Sequence, residues 1–235
     1  MTTLVSTHVG QSEGGIRRLS KLGGVAAVLF GAALLVDVVV FAVYLASTGV
    51  NIQADDPASR PAELAHQLVN GAAAPFWIWY LVLAAIAVFA FVTVQSLAEH
   101  LRAAGARLPL QALGSTALAI YVLTAIVSGT ITRVAGSAVL TQTELVASIP
   151  VVFGIVIPVL LAGFNLISAA WIFATSWAGW RTSSMPKWLS VLGALTSLVL
   201  LAGITGKAGI EVLAGPWLIS IGAWMLVRSR GSLVR

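Results

Sequence analysis

The sequence predicts an all-α, polytopic integral membrane protein, a six-transmembrane-helix bundle with both termini on the cytoplasmic side. Three observations carry the prediction. Hydrophobic residues make up 59% of the 235-residue chain and charged residues only 9%, with a mean hydropathy of +0.99. Soluble domains carry about a quarter charged residues, so most of this surface is made for lipid. Second, Leu22–Ala46 (LGGVAAVLFGAALLVDVVVFAVYLA) contains a single ionisable residue, Asp37. It is longer than the ~20 residues that cross ~30 Å of hydrocarbon as a helix. Third, the basic residues divide unevenly between alternate connections, as the positive-inside rule requires.

Met1–Lys21 is polar, holds Gly10, Gly14 and Gly15, and reads as a flexible cytoplasmic tail. Its Arg17, Arg18 and Lys21 hold the start of the first span inside. The apolar run behind them exceeds the ~7–15 residues of a signal-peptide core, so it is a signal-anchor rather than a cleaved leader. Residues 22–228 then form one transmembrane domain, with spans at about 22–46, 75–97, 110–132, 149–177, 188–205 and 210–227, and 229–235 is a second cytoplasmic tail. Ser47–Arg60 carries the Gly, Asn, Asp and Pro of an exposed loop. Pro61–Asn70 repeats Leu64, Ala65, Leu68 and Val69 at helical spacing and suits a short amphipathic helix on the outer surface. Gly71 and Pro75 introduce the second span and Pro109 the third. In the fourth, Pro158 removes a backbone hydrogen bond and predicts a kink.

This topology assigns Arg17, Arg18, Lys21, Arg102, Arg107, Arg181, Lys187, Arg228, Arg230 and Arg235 to the inside. Only Arg60, Arg133 and Lys207 remain outside, with Asp55, Asp56, Glu63, Glu144 and Glu211. Trp77, Trp79, Tyr80 and Trp217 fall at outer ends, and Trp177, Trp180 and Trp188 at inner ends, as two interfacial belts. Small residues at four-residue spacing, Ala27–Gly31 and Ala170–Ala174–Ala178, mark expected close helix contacts.

The basic start RRLSKLGGVAAVLFG, the six spans, and Pro186-Lys187-Trp188-Leu189 with Gly193 together resemble a family of small bacterial six-span membrane proteins, described only as a domain of unknown function. The resemblance implies a bacterial inner-membrane setting and brings no catalytic residues with it.

Asp37 is the first candidate for chemistry. An acid near the middle of a span costs about 2.5–3.5 kcal/mol on insertion scales, so it must face the bundle, find partners or stay protonated through desolvation. It is then either a proton or cation site, or an interhelical hydrogen bond that fixes packing. Tyr121, Thr124, Ser128 and Thr132 share one face of the third span, and Asn165 and Ser168 one face of the fourth with Pro158 and Ala162. With Arg133 as a partner for the acid, these groups predict a polar interior around Asp37. The alternative for each hydroxyl is a bond to the carbonyl four residues back in its own helix.

Glu63-x-x-His66 has the spacing of a carboxylate-bridged metal site, but such sites need two copies and further carboxylates. No metal is expected. His66 and His100 stand ~50 Å apart by helical rise and cannot share a haem iron. Cysteine is absent, which excludes disulfides and thiolate chemistry. No Walker loop, nucleophile elbow, zincin motif or dinucleotide fingerprint occurs. Nothing therefore marks an enzyme, and no cofactor is expected. The basic balance belongs to the loops and not to a nucleic-acid face, so no nucleic-acid partner is expected. The partners expected are the lipid bilayer, a small solute or proton, and a second copy or a membrane partner protein. Two function classes stand: a small-solute or proton-coupled transporter or binding protein, and a structural or accessory membrane subunit.

Overall fold

A computed structural model describes residues 3–48, 73–138, 155–202 and 210–231. These residues form six α-helices: α1 (Thr3–Thr48), α2 (Ala73–Ala103), α3 (Leu110–Ala138), α4 (Ile157–Arg181), α5 (Lys187–Ala202) and α6 (Ala214–Gly231). A 3-10 turn at Ile210–Leu213 leads into α6. Four helices hold stretches long and apolar enough to cross a membrane: Ser20–Val43, Ile78–Ala103, Leu110–Thr130 and Ile157–Arg181. The other two are shorter. α5 has 16 residues, a rise of ~24 Å against ~30 Å of hydrocarbon, and α6 ends in Arg228 and Arg230. The loop after Thr48, the amphipathic helix expected at Pro61–Asn70 with Glu63 and His66, and the connection at 139–154 lie outside the described residues.

One boundary differs from the sequence reading. The segment expected as a flexible tail is helical from Thr3 onward and continuous with the first span. It contains no proline, and once a span has nucleated a helix, extension through three glycines costs only about 1 kcal/mol each. Pro158 stands in the first turn of α4 and follows Val156 at φ −66° and ψ −50°, so the backbone reaches the proline already helical. The disturbance it was expected to cause is a widened π-type turn at Ile155–Val156, directly before it.

The short connections follow from local chemistry. After α2, Gly105 adopts φ +93° while Ala106 N–H donates to Leu101 O and Gly105 N–H to Arg102 O, a glycine-capped helix end. After α4, Ser183 takes the same left-handed role at φ 52°. Thr182 Oγ1 bonds Ala178 O there at 2.8 Å and lies 2.7 Å from Ser184 Oγ. Pro186 then starts α5.

Each helix runs antiparallel to the next, and they sort into two groups of three. α1 packs extensively against α2 and α6; α4 does so against α3 and α5. The seam between the groups, α2 against α3 and α5 against α6, is thinner. In the first group Gly24 and Gly31 of α1 oppose Gly222 and Gly215 of α6, both pairs spaced seven residues apart. A Cβ on Gly31 would stand 2.6 Å from Gly215 O, and one on Gly222 2.6 Å from Gly24 O. Ala27 between them is fully buried. The small-residue stripe expected on α4 holds in part: Ala178 is buried and Ala174 packs against the core, but Ala170 is exposed, and the buried face also takes in Ala169, Ile172, Ser176 and Gly179.

Trp217 is the other correction. It was expected in an interfacial belt and is instead fully buried, edge-on to Trp171 at 5.9 Å. Gly193 on α5 makes the room, since a Cβ there would lie 2.5 Å from Trp217 Nε1. The outward faces carry large aliphatic side chains; Leu81, Val227 and Val159 are 71%, 69% and 64% exposed. Such a surface suits hydrocarbon rather than water.

Candidate functional site

All six helices meet around a cavity of about 50 Å³ at the seam, with Leu34, Ile86, Tyr121, Ser168, Leu200 and Leu218 as one wall residue from each. Its lining is almost wholly apolar. Tyr121 and Ser168 are the predicted site residues that reach this wall. Tyr121 also packs its ring on Phe164 at 5.4 Å. Asn165 is completely buried one turn from Ser168 on the same face of α4.

Thr124 and Ser128 continue the Tyr121 face of α3 away from the chamber, and both are buried. Their hydroxyls donate within their own helix, Thr124 Oγ1 to Ile120 O at 2.8 Å and Ser128 Oγ to Thr124 O at 2.7 Å. The local alternative weighed for each hydroxyl is therefore realised at these two positions. The Arg133 side chain lies outside the described residues, as do Glu63 and His66. Among the described residues no group of three or more His, Asp or Glu is arranged to hold a metal ion.

Asp37 is half-buried and accepts a hydrogen bond at 3.0 Å on Oδ1 from Trp79 Nε1 of α2. That helix was not among those nominated as its partner. The bond forms because the two helices are antiparallel, so the acid and the indole stand at similar depth. Leu34 lies three residues before Asp37, a rise of ~4.5 Å on the same face, which puts the acid one turn beyond the chamber wall. Trp79 is also one of a run of aromatic contacts, 5.5 Å from Phe41 and 5.6 Å from Tyr80. Tyr80 then crosses the seam, its hydroxyl donating to Ala125 O at 3.2 Å. The notch at Gly129 admits it, for any Cβ there would collide with the phenol. Asp37, Trp79 and Tyr80 thus cap one end of the chamber.

The other end is closed by polar contacts between helices. Across the seam Gln111 Nε2 of α3 donates to Gln95 Oε1 of α2 at 2.7 Å, and Arg102 donates to Gln111 Oε1 at 3.2 Å. Arg228 of α6 donates to Ser184 O in the α4–α5 turn at 2.6 Å. Trp79 and Tyr80 were read only as belt aromatics. Equal depth on antiparallel neighbours was a signal for the Trp79 bond, whereas nothing in the sequence marks Gly129 as a socket.

The class of protein this architecture defines is a helical bundle with four helices fit to cross a bilayer and an apolar chamber between two three-helix groups. No family model, no curated protein and no solved structure matches the chain.

Proposed function

We propose that this is a multi-pass protein of the bacterial plasma membrane, with six spans and both termini in the cytoplasm. It takes a small solute into the chamber between its two groups of helices, as a transporter or a binding protein. The kinship proposed with the six-span family of unknown function belongs to the same reading. One observation carries it: the cavity lies at the thinnest seam of the bundle and has contacts that can part at both ends. Sites at the interface of two helix groups, deep in the membrane, are where transporters hold their substrates. The lining selects a largely apolar solute, with Tyr121 and Ser168 for one polar edge and Asp37 as the acid one turn away.

The test uses small apolar probes, benzene and indole, which need the two groups to part beyond the closed chamber of about 50 Å³, titrated into the detergent-purified protein while thermal stability is followed. Both should raise the melting temperature in a saturable way, and Ala117→Phe or Ala90→Leu, which fill the chamber, should abolish the shift. No shift in the parent, or an undiminished one in both filled variants, refutes the reading. The proposed topology is tested with single cysteines. Ala54, Ser137 and Ala208 positions should react with an impermeant thiol reagent from outside, and Ser12, Ala104 and Ser183 positions should not.

A different observation favours the second reading, a structural or accessory membrane subunit. Besides Thr124 and Ser128, Thr196 and Ser197 also bond carbonyls of their own helix. Polar groups satisfied in this way are spent locally. A chamber that binds neither probe would leave this reading in place.

A further inference from the structure

We propose that the corner formed by the α4–α5 turn and the end of α6 binds an anionic phospholipid, with its headgroup on Arg181, Lys187 and Arg228 and its chains along α4 and α5. The three cations are exposed at the same end of the bundle. Two of them stand on indoles: Lys187 Nζ lies 6.0 Å from the Trp180 ring centre and the Arg228 guanidinium 5.7 Å from that of Trp224. Arg228 is further held by its bond to Ser184 O. The partners given to Lys187 and Arg228 are thus rings and a backbone oxygen. Among the described residues no carboxylate pairs with any of the three. Positive charge is gathered and its positions restrained, with its counter-charge left to come from outside.

The surface below the cations identifies the donor of that charge as a lipid. Phe173, Trp177 and Trp180 follow one another at helical spacing on the outer face of α4. All three are about half exposed, with Phe173 and Trp177 stacked nearly parallel, 13° apart, at 6.5 Å. Trp188, Val191 and Leu195 form the matching exposed stripe on α5. A cationic rim above an indole belt above an aliphatic track matches the layers of one phospholipid molecule, headgroup, interface and chain. A free phosphate would use only the rim.

The experiment compares phosphatidylglycerol, phosphatidylcholine and inorganic phosphate added to the full-length protein in a neutral detergent. Thermal stability and lipid retention in native mass spectrometry are read in parallel. Phosphatidylglycerol should stabilise the protein and be retained, whereas phosphatidylcholine and phosphate should not. The double variant Arg181→Gln, Lys187→Gln should bind phosphatidylglycerol more weakly by roughly fivefold or more per charge, with an unchanged melting temperature in detergent alone. If the double variant fails to fold, the parent is tested in ~0.5 M salt, where screening should release the retained lipid. Equal retention of both lipids, stabilisation by phosphate matching that by phosphatidylglycerol, or retention insensitive to both the substitutions and salt would each overturn the proposal.

Discussion

At the scale of single residues, the bond from Trp79 is one contact by which an acid is tolerated inside an apolar span. The indole N–H is a donor only, so its loss cannot be mended by rotation of the ring. Trp79→Phe keeps most of the ring contact with Phe41 but removes one donor from Asp37 Oδ1. Asp37→Asn keeps an oxygen that still accepts from the indole. Trp79→Phe is therefore expected to destabilise by about 0.5–1.5 kcal/mol, the usual net worth of one hydrogen bond, and Asp37→Asn by less. Thermal unfolding in one detergent checks the order. If Asp37→Asn proves the more damaging, the carboxylate has a role that the indole bond does not account for.

At the scale of helices, contact between α1 and α6 depends on what is missing from their surfaces. Gly24, Gly31, Gly215 and Gly222 let two backbones approach until glycine carbonyls fill the places where side chains would stand. In a bilayer, where apolar faces gain nothing by leaving lipid, such close packing is a main source of helix association. Gly31→Leu should therefore force α1 off α6 and cost at least the 1–3 kcal/mol typical of overpacking. Gly163 of α4 is the control. A Cβ there meets nothing within 4 Å, so Gly163→Ala should be neutral or stabilise by up to about 1 kcal/mol through helix propensity. Unfolding in dodecyl maltoside measures both, and equal effects would contradict the packing account. Ala27–Gly31 was legible in the sequence as half of this contact. The seven-residue partners on α6 were not, because a spacing on one helix says nothing of which neighbour meets it. The same limit left the stripe on α4 right at Ala178 and wrong at Ala170, since only the position of α3 and α5 decides which small residues make the contact.

At the scale of the whole molecule, four of the apolar stretches and the antiparallel order of the helices could be read from hydropathy and charge, since both depend on composition along one dimension. The polar interior centred on Asp37 could not. It depends on which faces of the helices turn toward one another, a property of the seam, where Tyr121 and Ser168 line the chamber among apolar residues. That seam also yields the sharpest test of how the chamber is filled. The chain has no cysteine of its own, so a pair introduced by Gln95→Cys and Gln111→Cys is free of background. The two glutamine side chains meet at their tips across α2 and α3, so a short bifunctional thiosulfonate, reducible like a disulfide but longer, would tie the two helix groups together at that end. If solute enters by parting of the groups, the cross-linked protein should exchange bound indole much more slowly than the reduced protein, with its melting temperature unchanged or raised. Reduction should restore the parent rate. Exchange that ignores the cross-link would mean that solute passes between helices within one group, and the thin seam would then be a feature of packing with no part in access to the chamber.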